Sequence, residues 1–296
     1  MRKRYDAMTV TEEALAFSCE GEHLFGVLAR PELPAEVGVV IIVGGPQTRV
    51  GSHRQFVLLA RELAAAGLPT LRFDYRGMGD SSGEPRDFEA VTPDIRAAID
   101  TLQGACPSVT RVVLWGLCDA AAAALLYCDE TQDRRVTGLC LLNPWVRSEA
   151  SLAKTQVKHY YGQRLLQKEF WVKLLSGRLN ILTSIGELLR KVGQASSQAS
   201  RSGEQLAFQE RMARGLTTFA GRVLLILSEN DYTAKEFLEY VATADGWRGV
   251  LARPQVTRVT IDGADHTFSS AAWRKDVAVA CTKWSQLSLE CQPAAR

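Results

Sequence analysis

Val112-Val113-Leu114-Trp115-Gly116-Leu117-Cys118-Asp119-Ala120, continuing into the alanine-rich segment 121–126, decides how this chain is read. A short apolar segment of β type ends at a glycine, one residue turns sharply, and a strong helix former begins at once. The expectation is a strand–turn–helix with Cys118 at its apex. In the G-x-S-x-G arrangement the flanking residues are small because the turn is tight, and the reactive side chain stands exposed over a helix N-terminus. Here the pattern is Gly116-x-Cys118-x-Ala120, with cysteine in the position of the usual serine. The helix dipole favours negative charge at that end, so a cysteine placed there can carry more thiolate.

Outward from this stretch, the chain repeats the same rhythm. Val37 to Val43 is a continuous β-branched run, the signature of a strand buried on both faces of a parallel sheet. It stops at Gly44-Gly45-Pro46-Gln47, and Phe56, Leu58, Leu59 and Leu63 then outline an amphipathic helix ending at Gly67. Residues 69–73 read as a strand, 91–103 as a helix, 112–115 as the strand before Cys118, and 136–142 as a further strand. Successive β-α units give a parallel sheet with right-handed crossovers. Residues 14–30 read as two short antiparallel strands at the sheet edge, around the turn at Cys19-Glu20-Gly21-Glu22.

The rhythm breaks after Asn143-Pro144-Trp145. Residues 147–218 show helical stretches (152–166, 170–175, 185–192) and no convincing strand, and resumption comes at Val223–Leu227, a helix from Ala234, a strand at Val256–Ile261 and a last helix from Ala271. The expected organisation is a core of 1–146 and 219–296 with a helical cap insertion at 147–218. The serine-, glutamine- and alanine-rich segment 194–203 reads as a mobile linker.

Composition bounds the function classes. With 296 residues, 46% hydrophobic and 23% charged, and a net charge of +2, the chain is an ordinary globular protein with no electrostatic case for nucleic-acid binding. Its seven cysteines are odd in number and scattered, without C-x-x-C or His/Cys metal spacing, which favours reduced thiols, a cytoplasmic setting, and no metal or cofactor. The basic start lacks an apolar h-region, and no run is long enough to span a bilayer. The glycine-rich loop 74–83 lacks both phosphate-binding spacings and reads as structural.

Two residues complete a chemical constellation with Cys118. Asp231 lies just beyond one strand and His266, led by Gly263-Ala264-Asp265, just beyond the last. In an open parallel sheet the carboxyl ends share one edge, where distant loops converge. His266 would take the proton of Cys118 and Asp231 would hold the imidazole tautomer and stabilise the imidazolium. Asp265 is the rival acid, but its adjacency to His266 points its side chain elsewhere.

Asp74-x-Arg76-Gly77-x-Gly79-x-Ser81, the Cys118 turn, the Asp231 loop and Gly263-Ala264-Asp265-His266 together resemble the α/β-hydrolase superfamily. More narrowly, Val43-Gly44-Gly45-Pro46-Gln47 with Gly51-Ser52-His53-Arg54-Gln55-Phe56, Gly116-Leu117-Cys118-Asp119-Ala120 and Thr155-Gln156-Val157-Lys158-His159-Tyr160-Tyr161 resemble the first of two hydrolase families found with exosortase A systems. That resemblance implies a bacterial cytoplasmic hydrolase encoded near exopolysaccharide and protein-sorting genes, often beside an acyl carrier protein and an acyl-activating ligase.

The superfamily's oxyanion hole takes one N–H from the residue after the nucleophile, here Asp119, and one from the loop after the first long parallel strand. The second donor aligns with Pro46, which has no N–H. Either Gly45 or Gln47 donates through its backbone, or the Gln47 side-chain amide does; Gln47 is the favoured reading. Gly45, His53, Trp145 and His159 are the expected substrate-binding positions. Cys128, Cys140 and Cys281 read as buried packing residues.

An excess of lysine and arginine in the insertion (Lys154, Lys158, Arg164, Lys168, Lys173, Arg178, Arg190, Lys191) suits a negative partner such as an acyl carrier protein or coenzyme A. The expected chemistry is acyl transfer to water from a thioester or ester through a covalent acyl-enzyme. The alternatives are an acyltransferase or lactonase on the same triad, or a binding protein that retains the fold without the chemistry.

Overall fold

The computed structural model describes residues 9–147 and 206–290, with side chains to residue 285. Its sheet has eight strands: β1 (Val10–Cys19), β2 (Glu22–Pro31), β3 (Val37–Ile42), β4 (Thr70–Asp74), β5 (Arg111–Leu117), β6 (Val136–Leu142), β7 (Arg222–Ser228) and β8 (Val256–Ile261). They run in the order β1-β2-β4-β3-β5-β6-β7-β8. β1 pairs antiparallel with β2 and β2 with β4, and every other pair is parallel. Strands β1 and β2 are each 10 residues long, longer than the short pair read from the sequence, because their antiparallel register runs from Val10 opposite Pro31 to Cys19 opposite Glu22.

Helices α1 (Gln55–Ala65), α2 (Thr92–Ala105), α3 (Asp119–Thr131), α4 (Phe208–Thr218), α5 (Tyr232–Thr243) and α6 (Ala271–Glu290) flank the sheet. Every residue of β3 is buried, as are six of the seven in β5, which is what a strand covered on both faces requires. The chain passes from β3 outward to β4 and then returns to β5 on the other side of β3. That reversal opens a crevice at the carboxyl ends of β3 and β5, the place where open α/β sheets put their sites.

The turn from β5 into α3 sits there. Cys118 adopts φ 63° and ψ −123°, a conformation costly for any residue with a side chain. A Cβ at Gly116 would stand 2.4 Å from the Ala120 carbonyl oxygen and 2.7 Å from the Ala121 nitrogen, so the strand needs glycine at its next-to-last position for the helix to start this close. Ala120 through Ala124 are buried, letting α3 lie low on the sheet.

The loop 74–83 is held by ion pairs. Asp74 accepts from the Arg49 backbone and guanidinium, and Arg76 forks onto Asp94 at 2.7–3.1 Å. These bonds account for its charged residues and agree with a structural reading of the loop.

One boundary differs from expectation. The chain divides into a unit of residues 1–146 and 208–296 and a second of 147–207. Helix α4, assigned from sequence to the insertion, belongs to the core: Met212, Ala213 and Leu216 are buried, Arg211 pairs with Glu89 and Glu130, and Arg214 with Asp129 of α3. Its single apolar stripe looks alike in sequence whether it packs on a cap or on α3, so periodicity alone could not assign it. The expected helices of the insertion, the 194–203 segment, the basic side chains named above and His159 all lie outside the described residues.

Candidate active site

Three loops at the carboxyl edge bring Cys118, Asp231 and His266 together. Cys118 is the residue before α3, half-buried, and lies close enough to His266 to raise the imidazole pKa. The His266 Nδ1 is 2.9 Å from Asp231 Oδ2, which leaves the other ring nitrogen for the sulfur. Asp231 is buried and caps α5, accepting from the backbone N–H of Thr233 at 3.2 Å and of Ala234 at 3.1 Å. These two bonds and the imidazole fix the carboxylate in one orientation.

The electrostatics follow from these contacts. The hydrogen bond to Asp231 first, and the nearby Cys118 second, raise His266 from an ordinary 6.5 to about 10 against the opposing effect of burial. Burial works to raise Asp231, and the bonds from His266, Thr233 and Ala234 outweigh it, so its carboxyl titrates below the usual range. The imidazole is therefore held in its charged form, oriented by an ionised acid.

Asp265 is turned away from this pair. Its carboxylate accepts from the Thr267 N–H at 3.2 Å, the Ser269 N–H at 2.9 Å and the Ser269 hydroxyl, so it shapes the turn that carries His266. Those bonds outweigh burial and hold the Asp265 carboxyl below the usual range, and His53 is exposed with φ 53°. Trp145 approaches through its backbone, donating to the Cys118 carbonyl at 3.2 Å.

On the oxyanion side, the Gln47 side-chain oxygen accepts from Ser52 N–H at 3.2 Å and from Gln55 Nε2 at 3.3 Å, so that oxygen is tied to the start of α1. The Gly45 N–H donates to Asp119 Oδ2 at 2.7 Å. Of the three routes left open by Pro46, the one through the Gly45 N–H is taken by a neighbouring carboxylate.

Sequence reading missed Asn143 and Ser228. Asn143, buried at φ 42° after β6, donates to Ser228 Oγ at 2.8 Å and the His266 carbonyl at 3.1 Å, and accepts from the Ser228 N–H at 2.8 Å. Ser228 Oγ in turn donates to the Asp265 carbonyl at 2.8 Å. The network joins the loops after β6, β7 and β8, so it sets the spacing of Asp231 and His266. The signal for it was the Asn143-Pro144 pair at a strand end, which marks a turn and nothing more. Replacing Asn143 by alanine strands buried partners on Ser228 and is expected to cost about 2–4 kcal/mol in urea unfolding, from roughly 1–3 kcal/mol per unsatisfied group.

Comparison with known proteins agrees with this architecture. The described sheet and helices resemble the esterase Pf2001 of Pyrococcus furiosus (TM-score 0.63, 14% identity, 94% of this chain and 92% of that one). A dienelactone hydrolase from Anabaena variabilis matches with a TM-score of 0.60 and 16% identity over 94% of this chain and 98% of that one. Est1E of Butyrivibrio proteoclasticus, solved with ferulic acid bound, matches with a TM-score of 0.60 and 15% identity over 94% and 100% of the two chains. Among curated sequences, human Protein ABHD12B is 36% identical over 78 residues, 26% of this chain, which spans only 20% of that protein's length. The model of the alpha/beta hydrolase family matches residues 39–280, which include Cys118, Asp231 and His266. The chain belongs to the alpha/beta hydrolase family and has its fold.

Proposed function

We propose that this protein is a cysteine hydrolase that cleaves an acyl thioester or ester through a covalent intermediate on Cys118. The observation that carries the reading is a cysteine at a strained strand–helix turn, φ 63°, beside a histidine whose Nδ1 is 2.9 Å from a buried aspartate. In the resting pair the imidazole carries the proton, supported by the raised pKa of His266.

The reaction then runs in two halves. The Cys118 sulfur attacks the acyl carbonyl carbon, an S–C bond forms, and the bond to the leaving thiol or alcohol breaks as His266 returns its proton to that group. Water next attacks the acyl-enzyme, His266 takes a proton from it, the S–C bond breaks, and the free acid leaves. Asp231 keeps the imidazole oriented throughout. Thioesters are the leading substrates because thiolate attack exchanges one thioester for another of similar energy, and the leaving thiolate asks little of the acid.

The finer resemblance to hydrolases of exosortase A systems supports a carrier-bound acyl donor, either an acyl carrier protein or a coenzyme A thioester. Mass spectrometry after incubation with a panel of acyl thioesters tests the reading. The expected result is a mass increase of one acyl group located on Cys118; its absence for every thioester and activated ester overturns the proposal. Product analysis with added alcohol acceptors separates hydrolysis from transfer.

A further inference from the structure

The residue after the nucleophile carries a second, unassigned feature. Asp119 Oδ2 accepts from the Gly45 N–H at 2.7 Å and Oδ1 accepts from the Ala120 N–H at 3.0 Å. The fit is close: a Cβ at Gly44 would stand 2.1 Å from Oδ1 and 3.0 Å from the Ala120 nitrogen, so the side chain lies directly against a position that only glycine can fill. Two backbone donors from two loops, Gly45 lying 74 residues from Asp119, thus converge on one anionic group.

One of those donors, the Gly45 N–H, comes from the loop after the first long parallel strand, which in a hydrolase of this fold supplies a donor to the tetrahedral oxyanion, and the carboxylate it meets belongs to the residue whose own N–H supplies the other.

We propose that the Asp119 carboxylate occupies the oxyanion site in the resting enzyme, so that Asp119 is a specificity-determining residue: an acyl group must displace this side chain from Gly45, and acyl groups bearing a carboxylate beside the reacting carbon are rejected. The proposal rests on Cys118 being the nucleophile. Rotation about the Asp119 side chain frees Gly45 without moving the backbone. Burial raises the Asp119 pKa even against its backbone bonds. A negative group one residue from the sulfur repels an incoming anion while leaving a neutral acyl carbonyl unopposed.

The test compares iodoacetate with iodoacetamide, two alkylating agents of near-equal size that differ in whether a carboxylate or an amide sits beside the reacting carbon. Rates at Cys118 are followed by peptide mass spectrometry on the full-length wild type, D119A and the isosteric D119N. The expected result is an iodoacetate-to-iodoacetamide ratio at least about tenfold higher in both variants than in the wild type, the size expected from removing one nearby like charge. Equal slowing of both reagents, with the ratio unchanged, assigns Asp119 a purely structural role and overturns the proposal.

A second readout does not use the thiol. Formate should raise the Tm of D119A by occupying the vacated site, and leave the wild type unmoved. If Cys118 proves no more reactive than the other cysteines, the nucleophile reading fails, and the formate comparison alone decides the occupancy of the site: an equal response in both proteins overturns it.

Discussion

Cys118→Ala is expected to lower turnover of any acyl-thioester substrate by about 10⁴-fold or more while leaving KM and the unfolding midpoint nearly unchanged. The size follows from the role: without sulfur no acyl-enzyme forms, and the remaining groups can only polarise the substrate for direct attack by water. The stability expectation follows from position. Cys118 is half-buried and holds its strained φ of 63° through backbone bonds, its carbonyl accepting from Ala121, Ala122 and Trp145, none of which needs the thiol. Steady-state kinetics with circular dichroism on the same preparations checks both halves. Residual activity within tenfold of the wild type would mean another residue forms the covalent bond.

Asp231→Asn is expected to have the second largest effect, again about 10⁴-fold in turnover at neutral pH, because an amide at Nδ1 favours the wrong tautomer and no longer stabilises the imidazolium. Asparagine is also a good helix cap, so α5 should keep its N-terminus and the loss should fall on the histidine. The pH dependence has a definite sign. His266 is raised in the folded protein from 6.5 to about 10, so its contribution to stability is complete below pH 6.5 and fades as pH rises through 10. The Asp231 carboxyl titrates below its ordinary 3.8, so its contribution is complete above 3.8 and fades as pH falls further. The wild type should therefore exceed Asp231→Asn in stability across pH 4 to 6.5, with the gap narrowing above 6.5 and closing near 10. Urea unfolding at pH 5, 8 and 10 measures it; a gap that widens toward pH 10 would show that His266 is not the charged partner.

The two variants are distinguishable from the structural network beneath them. Asn143→Ala acts on stability first and on turnover only through the spacing of the loops, because Asn143 reaches the His266 carbonyl and not its ring. Cys118→Ala acts on turnover alone.

The architecture was readable in the chain because its signals are local. A β-branched run at Val37–Val43 can only be buried on both faces, and a strand that meets Gly116 and then an alanine run must turn within a residue or two. The chain order Cys118, Asp231, His266 named the three loops that meet. Where reading from sequence went astray, the deciding contact was distant. Residues 208–218 looked like the rest of the insertion, and only the burial of Met212 and Leu216 and the pairing of Arg214 with Asp129 assign them to the core.

What the sequence by itself determined, then, is the eight strands, their order along the chain and the loops that follow them, since hydrophobic period and glycine at a tight turn are properties of short stretches. Tertiary structure decided the geometry among loops. It set the 2.9 Å contact of His266 with Asp231, the Asn143–Ser228 bridge, and the capture of the Gly45 N–H by Asp119 across 74 residues of chain. The physical reason is that a side chain such as Asp119 finds its donors among whatever backbone the sheet brings to the same edge, and no periodicity along the chain records which backbone that will be.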